Sequence, residues 1–134
     1  MAVYPVDLSD EECLARLRSH TVGRIAFCSE AGPQIYPVNY ALSDDAIVFR
    51  TSPYGPMAGQ SHHGDVAFEV DELDRELHEG WSVLAVGPAE TLEADETLEM
   101  TSLRLLEPWA AGSRSLFVRI TPHQLSGRQF GSHR

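Results

Sequence analysis

A chain of 134 residues with 43% hydrophobic and 22% charged side chains is long enough to enclose one continuous core, and a single domain over 1–134 is expected. Twenty Asp and Glu against ten basic residues, every one an arginine, give a formal charge of −10, which excludes a duplex-binding face because counterion release needs clustered positive charge. No apolar run reaches the ~20 residues that cross a bilayer and no basic-then-apolar leader opens the chain, so no membrane segment and a cytoplasmic location are expected.

In DLSDEECLARLRSH, Ser9 is followed three residues later by Glu12, a capping-box pattern, and Cys13, Leu14 and Leu17 then supply an apolar stripe. The spacing predicts a helix over 9–19. VGRIAFCS (22–29) alternates as a strand does. EAGP is a turn, and QIYPVNYAL (34–42) is a second strand interrupted by Pro37. Proline has no N–H for a ladder, so this strand belongs at an edge or breaks where something else approaches its backbone. SDD makes the next hairpin turn. AIVFRT (46–51) sets Ile47 and Phe49 on one face and Val48 and Arg50 on the other, then runs into a turn holding Ser52, Pro53, Tyr54, Gly55 and Pro56.

Beyond that turn, PMAGQSHHGD has room for a short helical turn, and VAFEV (66–70) is a strand with Val66, Phe68 and Val70 on one face. DELDRELHEG reads equally as an irregular strand extension or a short helix. WSVLAVGPAETL (81–92) is a long strand bending at Gly87-Pro88, and ADETLEMTSLRLL (94–106) is helical by propensity. EPWAAGSR is a loop, SLFVRI (115–120) is the last long strand, and TPHQLSGRQF closes with a turn and a short extended end. Short strands joined mostly by hairpin turns, with two or three peripheral helices, predict a mainly β fold: a six-stranded antiparallel barrel rather than alternating β-α units.

Arg50 and Thr51 at a strand end, before a glycine turn, have the chemistry of an anion grip. Taken alone, an arginine there is ordinarily a solvated charge. Without lysine, any phosphate grip in this chain must use guanidinium, histidine, hydroxyls or backbone N–H groups. Cys13 and Cys28 have no zinc or redox spacing and are expected as buried free thiols. His62, His63 and His78 lack metal-ligand spacing, so surface histidines and no metal site are expected; His123 and His133 have no assigned role. The acidic run Asp71 to Glu79 reads as a solvated connection. No GxGxxG follows a strand and no Walker loop is present.

The succession of short motifs is more specific than any one of them. Gly-Arg in the first strand, Pro-Val-Asn-Tyr in the second, Phe-Arg-Thr ending the third, Phe-Glu-Val-Asp in the fourth and Gly-Trp-Ser-Val in the fifth resemble the pyridoxamine 5'-phosphate oxidase-like flavin-binding split-barrel family, and within it the short bacterial members. The resemblance runs from Leu8 to Phe130. It implies a six-stranded split barrel that forms a homodimer, with FMN in the crevice between the subunits. Carried over residue by residue, it puts Val38, Asn39 and Tyr40 beside the isoalloxazine ring. Arg50 and Thr51 face the ribityl phosphate, with Tyr54, Gly55 and Met57 in the turn behind them. Trp109 and Arg114 reach across the interface, and Trp81 lies near the same rim. The assignment has a physical basis: a strand broken by Pro37 offers backbone groups to the ring's polar edges, while Tyr40, Trp81 and Trp109 have flat faces for stacking.

One departure stands out. Short members of the family place a phosphate-gripping lysine after the Arg-Thr strand end, where this chain reads Tyr54-Gly55-Pro56-Met57-Ala58. Losing one charge-assisted bond to phosphate removes ~1.5–3 kcal/mol, roughly tenfold to hundredfold in affinity. The implied function is a flavin-dependent oxidoreductase acting on a small molecule, pyridoxamine phosphate oxidase-like or nitroreductase-like, with no side-chain acid or base identified. The alternative is a cofactor-binding module: a flavin store or sensor, or a carrier of a deazaflavin or haem, with FMN affinity weakened or lost.

Overall fold

The computed structural model describes residues 4–51, 64–92 and 116–131. Its first elements are β1 (Val6–Asp7) and α1 (Asp10–Arg18). The helix starts as its sequence dictates. Ser9 Oγ accepts the Glu12 backbone N–H at 3.2 Å, and the Glu12 carboxylate accepts the Ser9 N–H at 3.0 Å. These two bonds satisfy orphan donors of the first turn and hold the Glu12 carboxyl below its usual range. Cys13 and Leu17 form the buried side of α1, and burial pushes the Cys13 thiol up.

Strands β2 (Val22–Ser29), β3 (Gly32–Ser43) and β4 (Ala46–Thr51) follow as a meander. Asp44 and Asp45 join β3 to β4 with φ of 53° and 69°. Two successive left-handed residues make the turn whose twist matches the flanking strands, and Asp tolerates that conformation better than most side chains. Arg18 of α1 bonds the Asp45 carboxylate at 3.0 Å, tying the helix to this turn.

The ambiguous acidic run resolves as strand and turn. β5 (Asp65–Asp74) continues through it, and β6 (Glu79–Thr91) returns in a ten-pair ladder from Asp65↔Pro88 to Asp74↔Glu79. Between them the Asp74 carboxylate accepts the N–H groups of Glu76 and Leu77 at 3.0 and 2.9 Å, a local turn that competes with helix. β7 (Leu116–Ile120) and β8 (Gln124–Phe130) complete the chain, so the expected short extended end is a full strand paired to β6.

The strand order is β1-β8-β6-β5-β2-β3-β4-β7, and a further β6–β7 pairing closes β2 to β7 into a six-stranded antiparallel barrel. β6 makes both closures possible by changing partner. Gly80–Val86 pair with β8, whereas Ala89–Thr91 pair with β7. The bend predicted at Gly87-Pro88 falls at this exchange. A Cβ on Gly87 would lie 2.2 Å from the Thr121 carbonyl oxygen, so only glycine lets the β7–β8 corner cross here. Thr121 N–H and His123 N–H lock that corner onto the Pro88 and Val86 carbonyls at 3.2 and 3.0 Å.

Alternation fills the barrel: Ile25, Tyr40, Ile47, Phe49, Phe68, Val83, Val118 and Ile120 are buried inside it with Leu17 of α1. The same alternation corrects one expectation. Gly23, Ile25 and Phe27 point inward, so Cys28 falls on the outer face and its thiol is exposed. The helix expected over 94–106 lies outside the described residues. No helix among the described residues is long and apolar enough to cross a membrane.

Candidate functional site

β3 also changes partner, and this creates an opening in the wall. Gly32–Asn39 pair with β2, whereas Tyr40–Ser43 pair with β4. Before Tyr40, the side of β3 away from β2 carries no ladder among the described strands. In an antiparallel pair every second residue turns its N–H and C=O away from the partner, so this edge presents backbone donors and acceptors. Pro37 lies within it, opposite Arg24, as a proline without a ladder N–H requires.

Side-chain alternation sets what stands around the edge. Val38 and Tyr40 pack on the interior, so Asn39 between them faces outward. On β4, Ile47 and Phe49 face in while Val48 and Arg50 face out. Arg50 is half-buried, and its guanidinium carbon sits 5.2 Å over the ring of Phe117, its partner in the β4–β7 register. Val48, fully buried, collects Leu92, Ala41 and Phe117 into a second apolar cluster outside the barrel. The result is a β3 edge that carries no ladder among the described strands, beside an outer face of β4 on which Arg50 lies over Phe117 and Val48 is buried among Ala41, Leu92 and Phe117.

Several expected contributors sit elsewhere. The Tyr40 ring is 2% exposed, stands edge-on to Phe68 at 4.9 Å, and donates its hydroxyl to the Leu17 carbonyl. Burial raises its phenol well above the ordinary range. Tyr40 therefore braces α1 and has no free face for stacking, and its backbone N–H is bonded to the Thr21 carbonyl at 2.9 Å; Val38, two residues before it, likewise turns its backbone groups toward β2. Thr51 belongs to the inward-facing set of β4 and pairs with Leu116, so it does not converge with Arg50. Trp81 is 8% exposed, with the Arg16 guanidinium 5.2 Å above its ring and the His20 ring edge-on at 4.9 Å. It anchors α1 to β6, far along that strand from the β6–β7 seam. Tyr54, Gly55, Met57, Trp109 and Arg114 lie outside the described residues.

One constellation was visible in the sequence only as two separate motifs. Arg24 of Gly-Arg donates through Nη1 to both Glu69 and Asp71 of Phe-Glu-Val-Asp, at 3.0 Å each. Burial pushes the Glu69 carboxyl up to about 7, reinforced by its hydrogen bond and repulsion with Asp71 and opposed by Arg24. Asp71 thus belongs to a structured cluster, whereas the rest of the acidic run forms the hairpin. His123, without a role in the sequence reading, hydrogen-bonds Asp65 at 2.7 Å on the surface. Among the described residues no group of three His, Cys, Asp or Glu is placed to hold a metal.

The comparisons with known proteins agree with this architecture. The family model described as pyridoxamine 5'-phosphate oxidase matches residues 9–129. The chain belongs to this family. Among curated relatives of this family member, the uncharacterised protein Rv0080 of Mycobacterium tuberculosis is 31% identical over 127 residues, covering 91% of this chain and 83% of that one. A FAD-binding protein of Mycobacterium smegmatis superposes with a TM-score of 0.78 at 31% identity, over 93% of this chain and 99% of the other. A FAD-binding protein of Mesorhizobium loti gives a TM-score of 0.80 at 25% identity, over 98% and 100% of the two chains.

Proposed function

We propose that this chain binds a flavin nucleotide along the open edge of β3 and the outer face of β4, in a crevice closed by a second copy, and acts as a flavin-dependent oxidoreductase on a small molecule. The observation that carries the reading is the adjacency of the β3 edge, which before the exchange at Tyr40 carries no ladder among the described strands, to the half-buried Arg50 guanidinium over Phe117, with Ala41 beside them. This donor set suits the group. The polar edges of an isoalloxazine match backbone N–H and C=O, its apolar body matches the half-buried Ala41 and Phe117, and a guanidinium matches phosphate oxygens. When bound, the flavin supplies the hydride chemistry; the chain's residues orient the ring and keep water from one face.

FAD is favoured over the FMN that the family resemblance first implied. FMN ends in a phosphate monoester of about −1.5 to −2 charge, which an acidic chain without lysine is poorly equipped to hold. Each phosphate of a FAD pyrophosphate carries less charge, and the adenosine half adds contacts. The relatives at 31% and 25% identity are named for FAD.

The test is an absorbance titration of the purified protein with FAD, FMN, a deazaflavin and haem. Uptake of FAD at micromolar concentration, followed by bleaching with a nicotinamide donor and reoxidation by a small acceptor, supports the enzyme. Flavin uptake without reduction leaves a binding module. A protein that takes up neither flavin refutes the proposal.

A further inference from the structure

The outer face of the wall built by β3, β2, β5 and β6 is unlike the rest of this acidic chain. Val22, Ala26, Ile35, Ala67, Leu84 and Val86 face outward there, with Ile35 65% and Leu84 39% exposed. At its centre lies the Arg24–Glu69–Asp71 cluster, registered between Pro37 of β3 and Leu84 of β6. Among the described residues, the nearest other charge on this face by strand register is Arg128 of β8, across Ser82 from Asp71. Asp65 and Cys28 lie toward its far end, and Glu72 bonds His20 on the opposite face.

Two carboxyls share one guanidinium in this cluster. With Glu69 protonated, the three groups sum to zero charge; with Glu69 ionised they sum to −1. Covering the face with an apolar sheet strips water from the cluster, which a balanced set tolerates far better than an unbalanced one. A molecule of net charge −10 also repels its own copy except where a face is close to neutral. A twofold axis passing through this cluster would set each Arg24 against the other copy's carboxylates, a charge pattern complementary to itself. These features select a second copy of this chain as the occupant.

We propose that the Arg24–Glu69–Asp71 wall is a proton-linked seam between two copies of the chain, closed when Glu69 carries its proton and loosened when it loses it. The proposal rests on the pairing put forward above and adds its surface and its control. In the free chain Glu69 titrates near pH 7, already raised by burial. A second sheet buries it further, so its proton affinity in the pair is higher than in the free chain. Association then takes up protons. It is strongest and flat with pH below about 7, and it weakens as pH rises above that value, by up to tenfold per pH unit for each subunit's proton.

Sedimentation velocity over a dilution series, at pH about 6 and about 8.5 and constant ionic strength, tests this. Where pairing persists to nanomolar protein, the concentration dependence of the urea midpoint gives the same constant. The expected result is a dissociation constant at least tenfold higher at the upper pH. Glu69→Gln, which fixes a neutral side chain, is expected to keep the tight value at both. Asp71→Asn removes a group that raises Glu69 and is expected to shift the pH response downward. A pair that dissociates equally at both pH values, or a Glu69→Gln variant that keeps the wild-type response, overturns the seam. A chain monomeric at every concentration and pH defeats the pairing itself, a separate failure read in the same experiment.

Discussion

Replacing Gly23 with alanine puts a number on the junction between the two strand motifs. The added Cβ would lie 2.3 Å from Cζ and 2.6 Å from Cε2 of Phe68, where carbon atoms ordinarily keep about 3.5–4.0 Å. The ring must retreat by more than an ångström, yet it is 0% exposed and already packed edge-on against Tyr40 at 4.9 Å. Overpacking of this kind costs ~1–3 kcal/mol, and a ring with no free volume behind it puts Gly23→Ala near the upper end. With a urea m-value of about 1.5 kcal/mol/M, the unfolding midpoint falls by about 1–2 M without a change of slope. Phe68→Leu shortens the obstructing side chain at the cost of a cavity, and it also makes room for the new methyl. The double variant is therefore expected to be more stable than the sum of the singles predicts, by ~1 kcal/mol or more. Equilibrium urea unfolding of the four proteins measures this directly. A Gly23→Ala midpoint at the wild-type value, or strictly additive single changes, would refute the argument.

Arg50→Gln is expected to raise the flavin dissociation constant tenfold to hundredfold, the loss of ~1.5–3 kcal/mol of charge-assisted bonding, while stability falls only by the ~0.5–1 kcal/mol of the lost contact with Phe117; unchanged flavin affinity counts against the site. Tyr40→Phe removes the donor to the Leu17 carbonyl and is expected to cost ~1–2 kcal/mol in denaturant unfolding, without altering flavin uptake. The same phenol, raised by burial, is expected to stay protonated in an ultraviolet titration through the pH range where exposed tyrosines ionise. Ser9→Ala removes the Oγ that accepts the Glu12 N–H and leaves only the backbone half of the capping box; it is expected to lower stability by ~1 kcal/mol, seen as an earlier thermal transition, and full stability would mean the Ser9 side chain contributes nothing to α1.

Local chemistry made much of this protein legible in one dimension. Ser9 and Glu12 announce the start of α1 because a capping box needs only residues three apart, and Asp44-Asp45 announces a hairpin because its conformation is a property of two residues. Alternation gave the strands and their inward faces, and the order of the motifs gave the barrel family. What alternation also implied, without the partners being known, is that neighbours such as Arg50 and Thr51, or Asn39 and Tyr40, point to opposite sides. A motif of adjacent residues cannot all line one pocket.

Only the folded chain decided which strands meet, because register joins residues far apart in sequence through hydrogen bonds that any residue type can make. That is why Trp81 sits under Arg16 and His20 rather than at an open rim. It is also why Arg24 finds Glu69 and Asp71, more than forty residues away, and why burial there lifts a carboxyl into the neutral range. The partner exchanges of β3 at Asn39–Tyr40 and of β6 at Gly87–Pro88 open and close the barrel. Pro37 and Gly87 marked where the backbone would do something unusual; the tertiary structure determined that one exchange would leave an edge beside Arg50 and the other would seal the wall.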